Sequence, residues 1–158
     1  YLLIKKNFKN NSNISISYSG DFLNNASHFI SLFVKVYGYP KKISVQKSLN
    51  FKIKKKEILI NFNNKNQCVI NKNANAAANH SFKIERKNKI LVFNNLSHSI
   101  TIKTKNKKTI KKNYEKSFIN VYRNIYNFLN NKKYTCSNID NAKKVHQIID
   151  ICQKKIKN

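Results

Sequence analysis

The stretch from Ile43 to Lys103 carries repeated short alternations of apolar and polar residues and no helical stripe, and this feature constrains the fold most. A two-residue period is typical of strands with one buried face. The clearest alternations are residues 43–46, 58–60 and 90–93, and before this stretch Ile14, Ile16 and Tyr18 alternate in the same way up to Gly20. Strands that follow one another without intervening helices pair mainly as antiparallel neighbours. The sequence therefore predicts a largely antiparallel sheet of about six strands.

Apolar residues at spacings of three and four predict helices on both sides of this stretch. One stripe runs from Leu23 to Tyr37 and is followed by glycine and proline, which end helices. Near the C-terminus one stripe lies within residues 112–130, and a second begins at Ser137 with the pattern of a capping box. We therefore expect an α+β fold in which an N-terminal-side helix and two C-terminal helices pack on one face of the sheet.

The length of 158 residues suits one domain and is too short for a catalytic domain together with a full dinucleotide-binding domain. Gly20 and Gly38 are the only glycines, so the sequence contains no glycine-rich dinucleotide loop. The first residue is Tyr1 rather than methionine. We expect residues 1–158 to be a single domain of a longer protein.

The chain has 32 lysines and arginines against 6 acidic residues, a formal net charge of +26. Such a charge usually indicates a nucleic-acid partner. Arg86 and Arg123 are the only arginines, however, and surfaces that clamp phosphate or read bases rely on the arginine fork. The lysines accompany many Asn, Ile, Tyr and Phe residues, as in proteins from AT-rich genomes. We interpret much of the charge as compositional drift on solvated faces, with nucleic-acid binding as the alternative.

The cysteines Cys68, Cys136 and Cys152 are odd in number and far apart, without a spacing typical of metal ligands. We expect free thiols and no metal site. No apolar run reaches the roughly 18 residues that a membrane helix requires, and no segment resembles a signal peptide. These features predict a cytoplasmic protein without a membrane partner.

Several segments resemble one known family. Residues 20–32, followed by 38–40, are similar to the glycine-led turn and helix of Gfo/Idh/MocA oxidoreductases, which carries Asp-x-x-x-His-x-x-Asp and closes at Gly-x-Pro. Residues 114–154 resemble the closing pair of helices in that family, with 137–142 near its Ser-x-x-Asp-Ala start. Residues 82–93 resemble its paired strands.

The resemblance implies the C-terminal, substrate-side domain of an oxidoreductase. It implies hydride transfer between NAD or NADP and a sugar or nucleotide-sugar, with the cofactor bound by an N-terminal Rossmann domain that is absent from this chain. It also implies a homo-oligomer that forms through the face of the sheet. Because hydride chemistry needs the cofactor, we do not expect this chain alone to be active.

On this resemblance His28 is the catalytic residue, either as general base or as partner of a lysine in the other domain. Asn24 and Ser31 stand where the family commonly carries its two aspartates, and an amide cannot take up a proton at neutral pH. Asn25 is the alternative aligned amide. The other interpretation of His28 is a helix-face residue with a local hydrogen bond.

Four further residues are candidates for substrate binding, three of them with a structural alternative. Asn24 contacts a substrate hydroxyl or caps the helix. Asp21 holds a sugar hydroxyl or stabilises the turn after Gly20. Tyr18 lines the pocket or belongs to the core, and Asn25 completes the set. Three other histidines have no partners at useful spacing and are expected at the surface or in structural positions: His80, His98 and His146.

Two functions of other classes compete with the oxidoreductase. One is a small lysine-rich RNA-binding, ribosome-associated protein, supported by the lysine runs 54–56, 107–108 and 111–112 and by interleaved aromatic residues. The other is an inactive remnant, because loss of both family acids around His28 is typical of relaxed selection.

Overall fold

The computed structural model describes residues 2–47, 56–72, 80–94, 99–112, 126–127, 129–130 and 139–157. The helices are α1 (Leu2–Asn7), α2 (Ser27–Tyr37) and α3 (Ile139–Lys157), and a π-helical turn, Phe22–Ala26, leads directly into α2. The strands are β1 (Asn13–Tyr18), β2 (Lys42–Lys47), β3 (Lys56–Asn61), β4 (Gln67–Lys72), β5 (Ser81–Arg86), β6 (Lys89–Asn94), β7 (Ser99–Thr104) and β8 (Lys108–Lys112).

These strands form one sheet in the order β2-β3-β4-β1-β5-β6-β7-β8. Neighbouring strands are antiparallel except β1 and β4, which run parallel. The predicted α+β fold with a largely antiparallel sheet is therefore confirmed. The parallel pair arises because β1, the first strand of the chain, lies between β4 and β5 at the centre of the sheet.

The sheet has eight described strands, more than the roughly six expected from apolar alternation. The strand that alternation missed is β8, which forms from a lysine-rich segment at the edge of the sheet. Its one large apolar side chain, Ile110, is 54% exposed. An edge strand pairs on one side only, and lysines on it discourage pairing with other chains, so it shows little apolar pattern.

The helix predicted between Leu23 and Tyr37 is present as the π-helical turn followed by α2. The second C-terminal helix is α3, although its predicted capping residue Ser137 lies outside the described residues. Most of the helix predicted within 112–130 also lies outside them. No helix in the described part of the chain combines the length and hydropathy needed to cross a membrane.

One face of the sheet packs against α2 and α3, and a cluster of aromatic rings lies within this largely aliphatic core. The Phe82 ring stacks on Phe93 with ring centroids 5.2 Å apart, and it forms T-shaped pairs with Phe33 and Phe29 at centroid distances of 5.4 and 5.7 Å. Each fully buried phenylalanine stabilises the fold by roughly 1.5–3 kcal/mol. This packing fixes the position of α2 across the central strands, and therefore also the position of its N-terminal turn.

The C-terminal end of α2 is held by a second set of contacts. The Tyr37 hydroxyl donates a hydrogen bond of 2.9 Å to the Phe8 carbonyl, which also accepts from the Ser12 hydroxyl at 3.0 Å. Asn66, 1% exposed, accepts from Ser12 N at 3.0 Å and donates to the Lys9 carbonyl at 3.0 Å. Because α2 is anchored at this end and packed along its length, its first turn has a defined position.

The opposite face of the sheet carries a continuous row of side chains that remain at least partly exposed. One residue from each strand takes part, because the pairings align them directly across the sheet. In spatial order the row is Ser44, Leu59, Val69, Ser15, Lys83, Val92, Thr101 and Ile110. The face therefore combines apolar side chains and hydroxyls with charged groups such as the ion pair of Lys83 Nζ with Glu85 Oε1 at 2.6 Å.

Candidate active site

A tight turn at the end of β1 begins the candidate site. Gly20 has a φ of 76°, a conformation that glycine adopts without strain. The Asn25 side-chain amide donates a hydrogen bond of 2.6 Å to the Ser19 carbonyl and closes the turn. A Cβ atom on Gly20 would lie 2.8 Å from Asn25 Nδ2, so the turn requires glycine at this position.

Asp21 begins the π-helical turn that follows. Its Oδ1 accepts a hydrogen bond of 2.9 Å from Asn24 N, and its carbonyl accepts from Asn25 N at 3.1 Å. The carboxylate thus satisfies a backbone donor that would otherwise lack an intrahelical partner. Single π-helical turns occur frequently at functional sites. This one places Asn24 immediately before the first turn of α2.

The first turn of α2 faces α3 across a groove of about 430 Å³. The apolar side chains along the groove are those of Leu23, Ala142, Val145 and Ile149. The polar side chains are those of Asn24, Ser27, His28, Ser31 and His146. The structure therefore brings together Asn24 and His28 of the predicted site, and His28 is exposed to solvent.

His146 was predicted to be structural or at the surface, and the structure places it on the opposite wall of the groove from His28. It projects from α3, whose apolar stripe packs Val145, Ile148 and Ile149 into the core. Because its neighbour Val145 lies on that stripe, the sequence indicated that His146 borders the buried face of its helix. The sequence contained no sign of which element it would face.

The remaining predicted residues lie beside the groove. Tyr18 is 5% exposed and packs against the Phe22 ring at 5.6 Å, beneath the turn. Burial, with a smaller contribution from the negative charge of Asp21, raises the pKa of Tyr18 to about 12. Asn25 and Asp21 make the turn contacts already described. His80 Nδ1 accepts a long hydrogen bond of 3.5 Å from Ser19 N, a contact that suits the structural position predicted for it.

The groove combines two imidazoles, one amide and two hydroxyls with an apolar wall. Imidazole is the side chain that exchanges a proton most readily near neutral pH. Amides and hydroxyls donate and accept hydrogen bonds in fixed directions, and an apolar wall suits the carbon faces of a polyol. This arrangement can therefore bind a hydroxylated molecule and move a proton to or from one of its oxygens.

The two cysteines within the described residues are buried thiols with a raised pKa. Cys68 and Cys152 are buried free cysteines, while Cys136 lies outside the described residues. Burial raises the pKa of the Cys152 thiol to about 12 and raises the pKa of Cys68 further. Within the described ranges, His, Cys, Asp and Glu side chains do not gather in groups of three or more that could hold a metal ion.

No protein-family model matches the sequence, and no curated protein matches it. Solved structures do match its fold. A dehydrogenase from Clostridium difficile aligns with a TM-score of 0.74 at 16% identity, covering 99% of this chain and 58% of that chain. The UDP-N-acetylglucosamine 3-dehydrogenase of Acidithiobacillus ferrooxidans aligns with a TM-score of 0.76 at 10% identity, covering 98% of this chain and 56% of that one.

A 3-ketoreductase from Actinomadura kijaniata, solved with NADP, aligns with a TM-score of 0.68 at 8% identity over 97% of this chain and 55% of its own. The chain thus spans a little over half the length of each of these proteins. They are NAD(P)-dependent oxidoreductases of the Gfo/Idh/MocA type. The resemblance predicted from the sequence is therefore confirmed at the level of the fold, and the chain has the fold of one part of a Gfo/Idh/MocA-type oxidoreductase.

Proposed function

We propose that this chain is the substrate-binding and dimerising domain of an oxidoreductase that transfers hydride between NAD(P) and a sugar or nucleotide-sugar. The observation that carries the proposal is the His28 groove at the start of α2, on a fold shared with a UDP-N-acetylglucosamine 3-dehydrogenase and a 3-ketoreductase. The chain corresponds to the C-terminal domain of such an enzyme. A dinucleotide-binding domain outside residues 1–158 holds the cofactor, and the enzyme is cytoplasmic.

His28 is the proposed proton-transfer residue. A bound nicotinamide supplies the hydride acceptor or donor at its C4 atom. When a substrate alcohol is oxidised, its O–H proton passes to the His28 imidazole as the carbon loses hydride, and in the reverse direction the imidazole returns that proton. The exposed position of His28 in a groove lined by hydroxyl and amide groups supports this role.

Asn24 is the proposed orienting residue. Its backbone N donates a hydrogen bond to Asp21 Oδ1, and its side-chain amide lines the groove one helical turn before His28. There it is suited to hold a neighbouring substrate hydroxyl. The exposed carboxylate of Asp21 is proposed to contact a second hydroxyl. Asn25 and Tyr18 are proposed to support the substrate indirectly, since Asn25 closes the turn and Tyr18 lies beneath it.

The partly exposed sheet face is the proposed surface for pairing with a second copy of the chain. Leu59, Val69, Val92 and Ile110 lie in one row across it, and Ile110 is 54% exposed. Apolar side chains in register on a broad sheet favour a self-complementary contact. The groove lies among helices packed on the other face, so pairing leaves it accessible.

Protein-observed NMR tests the binding role directly. The full chain is titrated with UDP-N-acetylglucosamine and, as a control, with UMP. We expect the sugar nucleotide to shift the backbone amide signals of residues 23–31 and 142–149, and UMP to shift them less. Shifts confined to other residues, or none at millimolar ligand, would refute binding of this sugar nucleotide in the groove.

The proposed domain organisation has its own test at the level of the gene. The DNA immediately upstream of the Tyr1 codon is sequenced. We expect a continuous reading frame that encodes a strand, a Gly-x-Gly-x-x-Gly loop and a helix. A stop codon close to Tyr1 with a plausible start after it would contradict the proposed two-domain enzyme.

A further inference from the structure

Two neighbouring hairpin turns form a basic surface at the end of the sheet farthest from the groove. One turn joins β5 to β6 through residues 86–89, and the other joins β7 to β8 through residues 103–108. Because β6 pairs with β7, the two turns lie side by side, about 10 Å apart at ordinary strand spacing. The start of β1 is at this end, and β1 then runs away from it toward the groove. We call these ten residues the hairpin surface.

The hairpin surface is densely and uniformly positive. Seven of its residues are cationic and none is acidic: Arg86, Lys87, Lys89, Lys103, Lys105, Lys107 and Lys108. All six lysines are exposed to solvent. The Thr104 N and hydroxyl both donate to the Lys107 carbonyl, at 2.8 and 3.2 Å, so the second turn is held in a defined conformation.

The charges of the hairpin surface repel one another within the fold. Lys103 lies directly opposite Lys108 on the neighbouring strand, an arrangement that destabilises a sheet. The nearby acid Glu85 forms an ion pair with Lys83 at 2.6 Å. Arg86 Nη1 donates to the Asn7 carbonyl at 3.0 Å and brings the end of α1, with exposed Lys6, beside the first turn. A polyanion that spans both turns would neutralise this repulsion.

We propose that the hairpin surface binds the phosphate backbone of nucleic acid, without preference for base sequence. Bidentate clamping of phosphate and reading of bases rely on the arginine fork, but lysine ammonium groups contact phosphates as point charges without it. The surface has six lysines and one arginine, so it suits backbone binding. This activity is additional to the proposed oxidoreductase function and is independent of it, because it uses the opposite end of the sheet.

Fluorescence anisotropy of the full chain with a labelled single-stranded RNA of mixed sequence tests the proposal. The test variant is K103Q/K105Q/K107Q/K108Q. The matched control is K143Q/K144Q/K154Q/K155Q, which removes the same number of exposed charges from α3. We expect the test variant to lose at least about tenfold in affinity and its slope of log K against log salt to fall in magnitude by about 3, while the control changes affinity less than about threefold.

Equal losses in the two variants would show that overall charge, and not the hairpin surface, causes binding. Tighter binding to phosphatidylserine vesicles than to RNA at the same salt concentration would reassign the surface to a membrane. Either outcome overturns the proposal.

Thermal unfolding followed by circular dichroism checks folding: the test variant should keep or raise its Tm because the Lys103–Lys108 repulsion is removed. Sugar-nucleotide binding in the groove is measured separately, so failure of one proposal leaves the other standing.

Discussion

Asn25 occupies the space that a Cβ atom on Gly20 would need, at 2.8 Å from Nδ2, while the same amide closes the turn by bonding to Ser19. Position 20 therefore needs glycine because Asn25 fills the adjacent space, and Asn25 fits there because Gly20 has no side chain. We predict that Gly20→Ala lowers the free energy of unfolding by about 2 kcal/mol or more, through positive φ and steric contact together. Urea denaturation measures the loss.

A double-mutant cycle separates the two causes. In an Asn25→Ala background the steric contact is absent, so Gly20→Ala should lower the free energy of unfolding by less than it does in the natural chain. The difference is expected to be on the order of 1 kcal/mol. Equal costs in the two backgrounds would show that backbone strain alone requires the glycine.

His28 and His146 face one groove from different helices. We predict that His28→Ala and His146→Ala each weaken binding of UDP-N-acetylglucosamine by about tenfold, roughly 1.4 kcal/mol, because each removes a hydrogen-bonding group from the groove proposed to bind substrate. Gln147→Ala, at an exposed neighbouring position that does not line the groove, should change affinity less than about twofold. Isothermal titration calorimetry measures all three. A His146 variant that binds as tightly as Gln147→Ala would remove His146 from the site.

Tyr18 makes the stability of the fold sensitive to alkaline pH. Its pKa is raised from 10.0 to about 12 by burial, so the unfolded chain loses this proton at a lower pH than the folded chain. The stability that depends on the neutral hydroxyl is complete below pH 10 and is lost as pH rises toward 12. We predict that Tyr18→Phe reduces the fall in unfolding free energy between pH 9 and pH 11, whereas Tyr39→Phe, at a position 43% exposed, leaves that fall unchanged. Denaturant titrations at the two pH values decide between these outcomes.

Ile110 projects from the edge of the open sheet face. If two copies pair through this face, a buried carboxylate there would lack a partner, so we predict that Ile110→Asp converts a dimer into a monomer. Ile151→Asp, at an exposed isoleucine on α3, should remain dimeric. Sedimentation velocity measures both. A natural chain that sediments as a monomer, or a dimeric Ile110→Asp variant, would contradict pairing through the sheet.

The parts of the fold that local patterns could predict are those where one side chain faces the core and the next faces solvent. The stripe that ends at Tyr37 predicted α2, and the alternation of Ile14, Ile16 and Tyr18 predicted β1, since burial of each follows its period. The edge strand β8 could not be predicted in the same way. It buries little, so its sequence is free to be mostly lysine.

The candidate site was predictable only where its residues are close in sequence. Asn24 and His28 lie one helical turn apart, and both line the groove. His146 comes from the other end of the chain, and its place in the groove depends on how α3 packs across the sheet. No local period encodes that packing. The π-helical turn was not predicted either, because the apolar stripe through Leu23 is typical of an ordinary α-helix.

The position of β1 at the centre of the sheet has a consequence for how the chain is made. β1 lies near the start of the chain, yet its partners are β4 and β5, which ends at Arg86. During synthesis the strand leaves the ribosome well before either partner exists, and such long-range pairings form slowly. The turn that holds Asn24 and His28 is attached to this strand. The groove is therefore expected to take shape late, after the middle of the chain has emerged, and a nascent chain stalled before residue 86 should expose β1 to chaperones.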